Sequence, residues 1–119
     1  MNAGISIHVV DVATGKVAEG LALSIERLTG TNRELICAGQ IAANGLFAEL
    51  SEHSAVFESG HYEVSLDVAD FYRAQGQQLP RVPFLDVLVY RFGLDDTQQH
   101  YHLPFKLTAW GLSCFRGGA

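Results

Sequence analysis

Near the end of the chain, three side chains able to move or attract protons stand at even spacing: His100, His102 and Lys106. In an extended strand they share one face with Pro104, while Tyr101, Leu103, Phe105 and Leu107 take the other. The second set is the material of a core. An imidazole changes charge near neutral pH, so a strand that presents two of them can give and take protons. Lys106 is one of only two lysines in the chain, and between Phe105 and Leu107 its charge needs water or a counter-charge. A further histidine, His8, falls in the run Ile5 to Asp11, where Ile5, Ile7 and Val9 alternate with Ser6, His8 and Val10. It too lies opposite the apolar set. Three readings of the His100 to Lys106 face stand side by side: a solvated sheet surface, a polar-lined cleft or channel, and a metal site on histidines two apart, for which no third ligand has motif spacing. The chain has no G-x-S-x-G, P-loop, H-E-x-x-H or dinucleotide glycine pattern, so neither a cofactor nor a metal is expected.

The elements that must hold these residues are mostly strands. After a loop over 12–20, Leu21, Leu23 and Ile25 alternate with Ala22, Ser24 and Glu26. Thr29 to Asn32 reads as a polar turn, Glu34 to Gln40 as a third strand, and Asn44-Gly45 as a turn leading into a strand over Leu46 to Leu50. Gly60 opens a run of Tyr62, Val64 and Leu66 against Glu63 and Ser65. One segment breaks the period of two. Asp67 suits an N-cap, Phe71 and Ala74 share a helical face and Gly76 suits the position just past a helix, so the spacing predicts a short helix over Val68 to Gln75. Beyond Pro80 and Pro83, Leu85, Val87 and Val89 lead a strand that stops near Gly93 to Asp96. The last two strands cover Gln99 to Leu107 and Leu112 to Gly117, joined through Thr108 to Gly111, where Trp110 reads as packing. Seven or eight strands and one helix at this spacing describe a mostly β protein, a β-sandwich.

Composition narrows the function classes. With 119 residues, 48% of them apolar, the whole of 1–119 is expected to form one domain. A net charge of −5 and no basic run argue against nucleic acid or an anionic membrane surface as partner. No apolar run approaches the roughly 20 residues that span a bilayer. The opening Met1-Asn2-Ala3-Gly4 lacks the pattern of an export leader. Cys37 and Cys114 stand far apart and outside any C-x-x-C pair, which fits a cytoplasmic chain with reduced thiols.

Three segments, Ile5-Ser-Ile-His-Val-Val-Asp-Val-Ala-Thr-Gly-Lys16, Tyr101-His-Leu-Pro104 and Phe115-Arg-Gly-Gly118, together resemble the 5-hydroxyisourate hydrolase family, the transthyretin-like proteins. The likeness runs in order along essentially the whole chain. It implies two four-stranded sheets per subunit with one short helix, dimers paired through edge strands, and two dimers back to back around a channel, a homotetramer. It also implies active sites in that channel, where two histidines and an arginine open the ring of 5-hydroxyisourate by assisting attack of water. His8 matches the first family histidine and His102 the second. Which of them is the acid is not readable from the sequence.

The departures from the family pattern bear on the substrate. Leu46 stands after Asn44-Gly45 where the resemblance puts the arginine, and a leucine cannot replace a guanidinium fork. The C-terminal Tyr-Arg-Gly-Ser signature reads Phe115-Arg116-Gly117-Gly118, and Lys106 stands where the family carries an aliphatic residue. The expected substrate-contacting set is therefore Lys106, Leu46, Pro104, Ser113, Phe115, Arg116 and Gly118, around the catalytic pair His8 and His102. The expected function is a divergent family member that uses this pair for acid–base catalysis on a small heterocyclic or aromatic substrate. One concrete form is a Pictet–Spengler condensation of a tryptophan-like amine with an aldehyde in natural-product biosynthesis. The alternative is 5-hydroxyisourate hydrolysis in urate breakdown, and a second alternative is a non-catalytic carrier of a small ligand.

Overall fold

Alternation of β-branched and polar residues yields eight strands and one α-helix in the computed structural model, which describes residues 4–118. The positions Met1 to Ala3, read above for a leader, and Ala119 lie outside the described residues. The strands are β1 (Gly4–Asp11), β2 (Lys16–Val17), β3 (Ala22–Thr29), β4 (Asn32–Gln40), β5 (Gly60–Asp67), β6 (Val87–Leu94), β7 (His100–Thr108) and β8 (Gly111–Ser113), and the helix α1 is Val68–Ala74. They form two four-stranded sheets, ordered β2-β1-β7-β8 and β4-β3-β5-β6. Every pairing is antiparallel except that of β1 with β7.

Each sheet turns one face inward. Ile5, Ile7, Val9, Leu103, Phe105 and Leu107 from one sheet meet Leu23, Ile25, Tyr62, Val64 and Leu66 from the other, all buried. The opposite face of β1 and β7 thus carries the histidines, as the period of two requires. In β6 the inward set is Leu88 and Leu94 with half-buried Tyr90 and Phe92, while Val87 and Val89 face out. On the outer face of the second sheet the Glu63 carboxylate is held between Arg33 at 2.6 Å and Arg91 at 2.6 Å. These bonds from two guanidinium groups outweigh its burial and keep its pKa below the usual carboxylate value.

Several boundaries differ from the expectation. Leu46 to Leu50 forms no strand, since Leu46 makes one isolated bridge and Ala48–Val56 coils in 3-10 turns. Phe47 and Leu50, both buried, recur three apart, which is the 3-10 repeat and not that of a strand. The loop over 12–20 contains the two-residue β2. The helix stops at Ala74, Gly76 takes φ +89° just beyond it, and Asp67, the last residue of β5, makes no side-chain cap bond. The last strand is cut to Gly111–Ser113 and resumes only as a bridge between His102 and Gly117. Pro104 lies between the two stretches of ladder and has no N–H to donate across them.

One buried carboxylate fastens the helix to the first sheet. Asp11 accepts hydrogen bonds from the Tyr72 hydroxyl at 2.7 Å and from the Thr14 hydroxyl at 2.7 Å. Burial alone would raise its pKa, but the bonds from Thr14, Tyr72 and nearby backbone N–H groups prevail and hold it below 3.8. The stability this supplies is present above 3.8 and is lost as pH falls through the lower, folded value. Asp11→Asn is expected to cost about 1–3 kcal/mol at pH 7. In urea unfolding curves that gap between variant and wild type should narrow below pH 3.8.

Candidate active site

Parallel pairing of β1 with β7 brings the two ends of the chain side by side, Ser6 opposite His102, His8 opposite Pro104 and Val10 opposite Lys106. Neighbouring pieces extend these pairs into rows across the sheet. Leu46 bridges to His8 on one side, while Gly117 bridges to His102 and Ser113 pairs with Lys106 on the other. The register joining Lys106 to Ser113 and His102 to Gly117 sets Phe115 opposite Pro104. One row therefore reads Ser6, His102, Gly117, the next Leu46, His8, Pro104, Phe115, and the third Val10, Lys106, Ser113. Rows on one face are spaced by two residues, about 6.6 Å.

The row through His8 is apolar on both sides of the imidazole. Leu46 and Phe115 are 37% and 54% exposed, so their surfaces are open to a ligand or a partner. Asn44 and Gly45 do not make a hairpin. The Asn44 side chain accepts from the Leu46 N–H at 3.0 Å, and the Gly45 carbonyl accepts from the Val9 N–H at 3.0 Å. The turn thus delivers Leu46 beside His8, and Gly45 lies so close beneath His8 that a β-carbon there would overlap the imidazole Nε2.

His102 is held from two sides. Its backbone exchanges hydrogen bonds with Gly117, at 2.6 and 3.3 Å, and its Nδ1 lies 2.6 Å from Ser6 Oγ. Burial, and then the nearby His8 and His100, lower its pKa below 6.5. The shift favours the uncharged ring at neutral pH. Ser6 Oγ also lies 2.7 Å from His100 Nε2, which links the two histidines of β7 through one hydroxyl. Sequence alternation had placed Ser6 on the face of His8, but only the register with β7 sets it between two imidazoles.

Lys106 is on the same face, two rows from His102 and so about 13 Å along the strand. Its Nζ lies 5.6 Å from the centre of the Phe115 ring, a cation–π contact, and it joins none of the ion pairs among the described residues. Ser113 is exposed beside it. Arg116 is not on this face: its guanidinium covers the Tyr101 ring at 4.2 Å and donates to the Gln99 side chain at 2.6 Å. Gly118 follows the bridge residue and has open space where a side chain would stand. Trp110, read as packing, is 57% exposed, with its ring centre 6.3 Å from that of Phe84. Among the described residues no three His, Cys, Asp or Glu side chains converge as a metal-holding group.

Known proteins resemble this chain in sequence or in fold. A 5-hydroxyisourate hydrolase 2 of Rhizobium meliloti is 35% identical over 113 residues, covering 95% of this chain and 94% of that one. A 5-hydroxyisourate hydrolase of Mesorhizobium japonicum is 36% identical over 113 residues, covering 95% and 90%. Among solved structures, an (S)-allantoin synthase superposes with a TM-score of 0.86 at 25% identity, over 98% of this chain and only 44% of that one. Sea bream transthyretin in complex with thyroxine superposes with a TM-score of 0.85 at 22% identity, over 97% and 95%, a likeness of fold. The HIUase/transthyretin family model matches residues 5–117, and with the paired sheets and the relatives above this establishes that the chain belongs to that family.

Proposed function

We propose that this chain is an acid–base catalyst acting on a small, flat heterocyclic or aromatic substrate, with His8 and His102 as the proton-moving pair. The observation that carries the reading is their placement in adjacent rows of one face, where burial holds the His102 pKa below 6.5. A neutral imidazole can accept a proton at one nitrogen and donate from the other, and two of them can divide the work. The row Leu46, His8, Pro104, Phe115 favours an apolar ring, and Lys106 with Ser113 at its far side favours an anionic substituent such as a carboxylate or phosphate. Arg116 and Gly118 belong to the proposal only as neighbours of Phe115 and Gly117, not as direct contacts.

A second reading is 5-hydroxyisourate hydrolysis, favoured by the names of the bacterial relatives and by their near-complete coverage. Water is then the nucleophile, activated by the same pair. The proposal includes a single domain throughout the chain and the homotetramer of the family, in which a second dimer would cover the exposed Leu46 and Phe115. It also includes a reducing, cytoplasmic setting, for which the two free cysteines are suited.

The experiment that tests it follows the decay of freshly generated 5-hydroxyisourate with and without the protein, beside a panel of tryptophan-like amines with aldehydes. Acceleration of neither reaction would overturn the acid–base reading and leave a ligand carrier. Leu46→Arg separates the two substrates. A guanidinium beside His8 gives an anionic purine-derived ring charge-assisted bonds of about 1.5–3 kcal/mol. Turnover of 5-hydroxyisourate should therefore rise about 10- to 100-fold in this variant if Leu46 marks a changed substrate. An unchanged rate would mean that the hydrolase reaction proceeds without the fork.

A further inference from the structure

A serine hydroxyl carries one proton and accepts on two lone pairs, and the two flanking imidazole nitrogens are its only partners among the described residues, so the proton of Ser6 finds an acceptor only when Ser6 donates to one nitrogen and accepts from the other. Two arrangements satisfy this. In the first, His100 Nε2–H donates to Ser6, and Ser6 donates to His102 Nδ1. His102 then carries its proton on Nε2. In the second, every bond is reversed: His102 Nδ1–H donates to Ser6, Ser6 donates to His100 Nε2, and the His100 proton moves to Nδ1.

His100 Nδ1 decides between them. That nitrogen is fully buried and has no hydrogen-bond partner among the described residues. The second arrangement would seal an N–H donor there with nothing to accept it, and buried orphan donors are rarer in folded proteins than under-satisfied acceptors. The first leaves only a lone pair. Protonating both nitrogens of His100 is worse again, since it buries the same unpartnered donor with a charge.

We propose that Ser6 is a positioning residue that locks His102 as its Nε2–H tautomer, so that His102 offers a hydrogen bond to the substrate and His8 is left to accept and pass on a proton. His102 Nε2 has no hydrogen-bond partner among the described residues and is not among their sealed polar atoms, so the donor it presents is free for a substrate. The division of labour rests on the acid–base reading above; the tautomer does not. As water or another nucleophile attacks, its proton passes to His8, the atom that gains negative charge is stabilised by a hydrogen bond from His102 Nε2–H, and His8 then hands its proton to that atom. Ser6 O–H stays on Nδ1 throughout as that nitrogen's donor, so His102 keeps its Nε2–H and both rings end in their starting forms.

The test is long-range proton–nitrogen NMR on the full chain labelled with nitrogen-15 in histidine, at pH 8, with the His102 signals identified by their loss in His102→Gln. The expected spectrum shows a bare Nδ1 and a protonated Nε2 for His102. Ser6→Ala should convert it to a mixture or to the Nδ1–H form and lower kcat about tenfold with KM unchanged, and Ser6→Thr should restore both. A wild-type His102 protonated on Nδ1, or an unaltered tautomer in Ser6→Ala, would overturn the proposal. Wild type alone answers if Ser6→Ala does not fold. The expected tautomer in a protein that turns over none of the panel would uphold the Ser6 lock and sink only the catalytic reading.

Discussion

His102→Gln and His8→Gln are each expected to lower kcat/KM for the protein's substrate by about 10²–10⁴-fold, the usual worth of a positioned proton donor or acceptor. Glutamine keeps a polar group of similar reach, so the backbone exchange of His102 with Gly117 persists and the fold should be retained. The double variant should lose little more than either single one, because a pair that passes one proton acts as a unit. Steady-state kinetics with a melting curve for each variant checks both statements. The same variants carry a pH signature. In wild type, His102 titrates below 6.5, chiefly through burial and secondarily through His8 and His100. His8→Gln removes one of the two neighbouring imidazoles, so the His102 midpoint should move up towards 6.5 without reaching it, since burial remains. The sign for stability follows. The folded chain binds this proton less readily than the unfolded one, so stability falls as pH drops from 6.5 to the folded value. A His102 midpoint that ignores the loss of His8 would place the two rings too far apart to share a proton.

Alternation alone located the faces of the first sheet. Ile5, Ile7 and Val9 point inward and His8 outward because strands have a period of two, and the same holds for Leu103, Phe105 and His102. The partners across the sheet were a different matter. Ser6 and His102 are 96 positions apart, and no local pattern in either segment specifies a parallel register between them. Leu46 shows the limit most plainly. Asn-Gly is a hairpin signal, yet here Asn44 caps its own loop and Gly45 bonds to Val9, so the turn serves the edge of β1 and not a new strand. The three-residue spacing of Phe47 and Leu50 was the available signal. Arg116 was misplaced for a related reason: one residue beyond the Phe115 position the strand alternates, and its guanidinium goes to Tyr101 and Gln99 on the other side. Glu63 likewise reads as an outward polar residue, which it is, but the two arginines that bury it come from β4 and β6.

Gly45→Ala should be the most damaging change of a residue that never touches substrate. Two costs coincide there. The backbone has φ +85°, a region that costs an L-residue about 1–2 kcal/mol. The added β-carbon would also overlap His8 Nε2 and come within 2.7 Å of Val17 Cγ1, so either the imidazole or β2 has to shift. His8 is the freer of the two, because Val17 is pinned in its ladder with Val10. The ring should therefore swing away from the row it shares with Leu46 and Pro104, and a displacement of about 1 Å at a reacting group can cost about 10²-fold. Gly30→Ala supplies the comparison. Gly30 has φ +61° but open space around its missing side chain, and it lies in the β3–β4 turn of the other sheet from His8 and His102. It should show the backbone cost alone, a melting point lowered by several degrees, with kcat/KM intact. If Gly45→Ala merely matched Gly30→Ala, losing stability and keeping its rate, the close approach of Gly45 would not be what fixes His8, and the pair would depend on some other support.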